Sequence, residues 1–158
     1  MTAELTTVSL ETPAVRGAVD RMIVAVGELP PVEMPIVHRF TPGLYIRQIF
    51  MPKGTLAVSK LHKTEHPYVI SQGRVSVWMP GGDGEVNYLS APHTGVTKPG
   101  TRRVLYVHED TLWTTFHPTT ETDLGRLEAL LVEETPVPES LPEAVRGRLI
   151  QFKGGKVL

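Results

Sequence analysis

Residues Gly54–Gly73 read GTLAVSKLHKTEHPYVISQG. Five residues separate Gly54 from Lys60, one separates Lys60 from His62, three separate His62 from His66, and six separate His66 from Gly73. The β-branched and aromatic residues on either side of Lys63-Thr64-Glu65 predict two short strands joined by that turn. Strand alternation then puts Val58, Lys60 and His62 on one face, and His66 with Tyr68 on one face of the next strand. Such polar residues either line an internal site or flank the turn at the rim, bonded to backbone and water.

The period of two continues outward from this stretch. Leu44 to Phe50, Thr55 to Leu61, Pro67 to Gln72, Arg74 to Met79, Glu85 to Leu89, Arg103 to Val107 and Leu112 to His117 all read as short strands. Turn chemistry separates them at Pro52-Lys53-Gly54, Gln72-Gly73, Pro80 to Gly84, Pro99-Gly100 and Glu109-Asp110. Strands this short and this close predict an all-β fold, an antiparallel β-barrel or jelly roll.

The flanks differ. Residues 1–42 read as an N-terminal arm punctuated by prolines, with Val15, Val19, Met22 and Val26 as the stripe of a short amphipathic helix. That stripe covers either the domain's own core or a second subunit. Residues 43–118 form the barrel. Residues 119–134 predict a packing helix with Thr120 as N-cap and Leu124, Leu127 and Leu131 on one stripe. Residues 135–158 read as a tail in which Ser140 and Glu143 cap one short helix.

The 158 residues carry 16 basic and 17 acidic side chains, a net charge of −1, and are 41% hydrophobic. That balance removes the electrostatic basis for nonspecific nucleic-acid binding. No apolar run is long enough to span a bilayer and no signal-peptide pattern opens the chain, so a cytoplasmic protein is expected. The absence of cysteine excludes disulfides and thiolate metal sites.

The Gly54–Gly73 spacing resembles the first cupin motif: glycine, five residues, histidine, any residue, histidine, three or four residues, glutamate, six residues, glycine. Both glycines and His62 match, while Lys60 occupies the first histidine slot and His66 the glutamate slot. Thr97 to Arg103 is similar to the second motif, with Arg103 in the histidine slot. Register there leaves open whether Arg103 or Val104 faces inward. HRFTPGLYIRQIFMP and HEDTLWTTFHPTTETDLGRLE also resemble a group of small cupin-like proteins encoded by bacteriophages and bacteria. The resemblance implies a cupin-like barrel, homo-oligomerisation, and motif residues that point into the barrel.

Two residue sets follow. In one, His62 and His66 join His108 or His117 around a divalent ion (Zn, Fe, Mn or Ni) with a position left open. In the other, Lys60, His62, His66, Arg103 and Tyr68 line a metal-free cationic pocket for a carboxylate or phosphate. Lys60 favours the second, because an ammonium beside a divalent ion is repelled. Glu65 is read as a solvated turn residue, and His38 and His93 as loop or surface residues. The leading functional expectation is a His-lined pocket for a small ligand or metal, with catalysis open. The alternatives are a non-catalytic oligomeric assembly protein, in an infected bacterium one associated with a phage particle, and a sugar-nucleotide epimerase.

Overall fold

The computed structural model describes residues 11–134. The chain runs α1 (Pro13–Gly27), β1 (Ile36–Thr41), β2 (Leu44–Met51), β3 (Leu56–Val58), β4 (Leu61–His62), β5 (His66–Trp78), β6 (Val86–Ser90), β7 (His93–Thr97), β8 (Val104–Pro118), α2 (Leu124–Leu131) and β9 (Val132–Glu133). The expected tail and its short helix lie outside the described residues.

Every strand pairing is antiparallel. A seven-stranded sheet takes the order β1-β2-β8-β5-β6, with β3 added to β8 and β7 to β5. The two long central strands divide it. The N-terminal half of β5 carries β7 and the C-terminal half of β8 carries β2 and β1, forming one layer. The other halves carry β6 and β3, forming a second. This is the all-β, jelly-roll-like arrangement expected from the strand pattern, although its hydrogen bonding does not close into a ring.

Two expected turns are absent. Gln72-Gly73 and Glu109-Asp110 do not end strands but mark where β5 and β8 bend together, with register shifts at Ile70/Gln72, Gln72/Arg74 and Arg74/Val75. A bulge keeps a strand paired while it bends, and a glycine-containing dipeptide in sequence looks the same as a hairpin. Gly73 has φ +95°, and a Cβ there would collide with Thr111 and the carbonyl of Asp110. Only glycine lets the strands approach this closely.

The core lies between the layers: Ile49, Met51, Tyr68, Ile70, Val75, Val77, Leu105, Val107 and Trp113 form one buried cluster. On the other side of the second layer, α1 packs Val19 against Val58 and Val104, with Val15, Met22, Ile23, Val26, Leu56 and Trp78 around them. The helix stripe thus covers the domain's own sheet. Thr12 caps α1, its hydroxyl accepting from Val15 N at 3.3 Å, and Pro13 starts it. Beneath this end, the guanidinium of Arg102 pairs with Glu11 and donates to the carbonyl of Ser59 at 2.8 Å.

The stretch read as an arm also contains β1, whose edge pairing along β2 escaped the sequence reading because its residues are largely exposed. The helix after β8 starts later than expected, with Asp123 rather than Thr120 as its cap, the Asp123 carboxylate accepting from Arg126 N at 2.9 Å. From α2 the chain folds back so that β9 pairs with β4, and Lys63 N donates to Leu131 O at 2.8 Å. No helix among the described residues is long and apolar enough to cross a membrane.

Candidate functional site

The inner face of the first layer changes character along its length. Ile49, Trp113 and Ile70 form one row across β2, β8 and β5. Next to it, Arg47, Thr115 and Tyr68 form a second, and Gly95 of β7 continues it. Beyond that, Tyr45 pairs with His117 and His66 with Thr97. The apolar row belongs to the core; the other two are polar, and all of Tyr45, His66, Tyr68, Thr97, Thr115 and His117 are buried.

Three imidazoles meet here. The ring centroids of His62 and His66 lie 5.2 Å apart and those of His66 and His117 4.3 Å apart. His62 reaches the group from β4, which is held in place by His62 N donating to Thr101 O at 2.9 Å and Gly100 N donating to His62 O at 2.8 Å. Each ring keeps a buried nitrogen with no hydrogen-bond partner among the described residues: Nδ1 of His62, Nε2 of His66 and Nδ1 of His117. Orphaned buried polar atoms are uncommon in folded proteins.

The protonation pattern follows from the partners. His66 Nδ1 lies 3.1 Å from the carbonyl oxygen of Thr64. A carbonyl only accepts, so Nδ1 carries the proton and Nε2 presents a lone pair in the neutral ring. Burial, then the neighbouring His66, Arg103, His117 and Arg47, push His62 down to about 3. Burial, then His66 and Arg47, push His117 down to about 3 as well. His66 is also lowered, by burial and by Arg103, against the opposing effect of its bond to Thr64. All three rings are neutral at pH 7.

Two guanidinium ions frame them. Arg103 sits over the rings of Tyr68 and Trp113, 5.0 and 5.4 Å from their centroids, and donates to Thr97 Oγ1 at 3.0 Å. Burial lowers its pKa. Arg47 is partly buried on β2, and its charge acts on both His62 and His117. Among the described residues neither arginine has a carboxylate within ion-pair distance. Tyr68 is locked from a further side: its hydroxyl lies 3.2 Å from His93 Nε2, and a Cβ on Gly95 would sit 2.5 Å from the phenol oxygen.

Of the residues singled out in sequence, His62, His66, Tyr68, Arg103 and His117 come together. The register question at the second motif resolves with Arg103 facing the site and Val104 facing α1. Lys60 goes elsewhere: the chain leaves strand geometry at Ser59-Lys60, and the ammonium pairs with Glu128 of α2, with Glu134 4.0 Å away. His108 is also apart, on the outer face of the second layer, 2.5 Å from Ser76 Oγ and beside Tyr106 and Tyr88. Glu65 is exposed and pairs with Lys98.

Sequence reasoning missed Arg47, Tyr45, Thr97 and Thr115. The alternation Tyr45, Arg47, Ile49, Met51 placed Arg47 on the inner face and could have found it. His38 is exposed, as expected of a surface residue, but it and His93 lie in strands and each touches a site tyrosine; His38 Nδ1 is 2.6 Å from Tyr45 Oη. Both strands were hidden by their proline- and glycine-rich surroundings.

A divalent ion does not fit this donor set. Among the described residues no group of three or more His, Cys, Asp or Glu side chains is arranged to hold one, and two guanidinium ions act on the imidazoles. A dication beside two fixed cations is repelled. The same charges favour an anion.

No family model matches the chain, and no curated protein matches it. Among solved structures it is similar to a cupin superfamily protein from Desulfitobacterium hafniense, at 10% identity, with 58% of this chain and 83% of that one covered and a TM-score of 0.46. A putative ethanolamine utilization protein from Salmonella typhimurium matches at 9% identity, 58% and 73% coverage and a TM-score of 0.47. A predicted oxalate decarboxylase from Thermotoga maritima matches at 15% identity, 56% and 82% coverage and a TM-score of 0.45.

Proposed function

We propose that this protein binds a small organic anion between its two β-layers. The observation that carries the reading is the pairing of three clustered imidazoles, each with a buried and unpartnered ring nitrogen, with two guanidinium ions that have no carboxylate within ion-pair distance among the described residues. Burying a cation without a counter-charge is costly; Arg103 has none, Arg47 feels only Glu128 without an ion pair, and a bound anion lowers that cost. Charge-assisted hydrogen bonds from arginine to a carboxylate or phosphate supply the affinity. The neutral imidazoles supply further donors and acceptors without adding positive charge.

Calorimetric titration with small carboxylates and phosphate in low-salt buffer, beside the His62→Ala/His66→Ala double variant, tests this. Saturable binding lost in the folded variant supports it. Stoichiometric zinc, iron, manganese or nickel in the purified protein, with no anion binding, overturns it and restores the metal expectation.

A second reading, self-association, draws on the outer face of the second layer. Tyr88 is 72% exposed, and Val86, Tyr106 and Met79 are exposed beside it. Contiguous exposed apolar surface marks interaction sites. Light scattering of wild type and Tyr88→Lys tests it; an unchanged monomer mass in both sinks it.

A further inference from the structure

We infer, resting on the anion-binding reading, that α2 and β9 form a strap hooked onto β4 and held shut by the Lys60 to Glu128 ion pair, and that this strap lifts to let a ligand reach the imidazoles.

Entry requires movement. His66, His117 and Arg103 are 2%, 4% and 8% exposed, and Nδ1 of His62 is buried as well. A small carboxylate reaches these atoms only when part of the fold shifts. The long ladders that join β2, β5 and β8 are ill suited to that. His62 is the most exposed of the three rings and stands on a strand of two residues, so the opening lies on its side.

β4 is held from two directions. On one, His62 N donates to Thr101 O and Gly100 N donates to His62 O. On the other, β9 pairs Glu133 with Leu61 and Val132 with His62, and Lys63 donates from its backbone to Leu131 O at 2.8 Å and from its ammonium to Ala129 O at 2.9 Å. All of the second set comes from one short segment. α2 has eight residues, of which Leu127 alone is buried, while Leu124 and Leu130 are 46% and 54% exposed. A helix this short depends on packing for its stability, and segments with few buried apolar contacts open at a fraction of the global unfolding free energy. The linker from β8 supplies the hinge: Thr119 N is tied to Gly43 O at 3.1 Å, and beyond it the Glu121 carboxylate accepts from Thr122 N and Asp123 N within the linker itself.

The latch is ionic. The Lys60 side chain is buried, and its ammonium pairs with Glu128 of the strap, with Glu134 4.0 Å away. Lifting the strap strands that cation, which biases the strap toward closure. The charge of Glu128 also acts on Arg47, whose own charge acts on His62 and His117. The latch thus lies within electrostatic reach of the cluster it closes.

The chain has no cysteine, so an engineered pair is the only thiol pair present. Lys63→Cys/Leu131→Cys replaces two residues joined by a backbone hydrogen bond across the β4 and β9 ladder; Cα atoms of such a pair lie about 5.5 Å apart, within disulfide range. Diethyl pyrocarbonate at pH 7, with modified histidines identified by mass spectrometry, reads access to His62, His66 and His117 against the exposed His38. When opening and closing are fast, reaction tracks the open population. Oxidation of the pair should slow modification of the three rings at least about tenfold relative to the reduced form, and Glu128→Gln in the otherwise unchanged chain should speed it about fivefold by weakening the latch. Equal rates in oxidised and reduced protein overturn the strap, as does a wild-type cluster that reacts as fast as His38. Where the cysteine pair fails to fold, an unchanged rate in Glu128→Gln overturns it alone. The reagent reports opening with no ligand present, so these outcomes stand apart from the anion titrations: a strap that fails here leaves anion binding intact, and titrations that fail leave a strap without a ligand to admit.

Discussion

The two halves of β5 and β8 use the same strands for opposite ends. Past the bend, Val75, Val77, Leu105 and Val107 face inward and fill the space with hydrocarbon. On its other side, His66, Tyr68, Thr115 and His117 face inward, and each of the two imidazoles leaves one ring nitrogen unpaired among the described residues. Adjacent residues repeat the contrast: Arg102 is neutralised by Glu11, while Arg103 has aromatic faces and one threonine. Burial alone does not separate the two arginines; the presence or absence of a counter-charge does.

The comparison breaks most completely at the bend. Gly73→Ala combines a positive φ with a clash against backbone, and should cost about 4 kcal/mol, read as a lowered urea midpoint. A loss under about 1 kcal/mol would mean the strands can part there without consequence. The arginine pair sharpens the contrast next. Arg102→Met removes the direct partner of the buried Glu11 carboxylate, which keeps the Arg16 contact at 3.8 Å, and should cost about 2 kcal/mol; Arg103→Met removes an uncompensated cation and should leave stability unchanged or raise it by about 1 kcal/mol while abolishing anion binding. Equal destabilisation by both would erase the distinction.

Acid acts selectively on the polar half. His62 and His117 have folded values of about 3, below the unfolded value of 6.5. Between those limits the unfolded chain binds more protons, so stability is full above pH 6.5 and falls as pH drops. Each ring contributes a slope of about 1.4 kcal/mol per pH unit in that window. Chemical denaturation at pH 7 and pH 5 checks this, and a flat profile would contradict the burial of the rings. The smallest effect is at the exposed Lys98 and Glu65 pair, where Lys98→Met should change stability by less than about 0.5 kcal/mol.

The strand pattern and the amphipathic helix were legible because each rests on local periodicity, whereas the meeting of His62 with His66 was implied by the resemblance of the glycine spacing to a cupin motif. The glycine spacing also drew attention to Arg103. What was not legible is non-local. Gly73 and Asp110 read as turns because a bulge and a hairpin share the same residues, and the difference lies in a partner strand far along the chain. Lys60 left the site because Glu128, on a helix beyond the last long strand, was there to pair with it. His117 was one of several possible partners until register placed it against Tyr45.

The central position of β8 has a consequence in time. It is the last long strand to be synthesised, yet β2, β3 and β5 all pair with it. Until residues 104–118 leave the ribosome, β2 has only β1, β5 has only β6 and β7, and β3 has no ladder partner among the described strands. Long-range antiparallel pairing is slow to form, so the nascent chain holds open edges for most of its synthesis, and a truncation before residue 104 should yield an aggregating product instead of a partial fold.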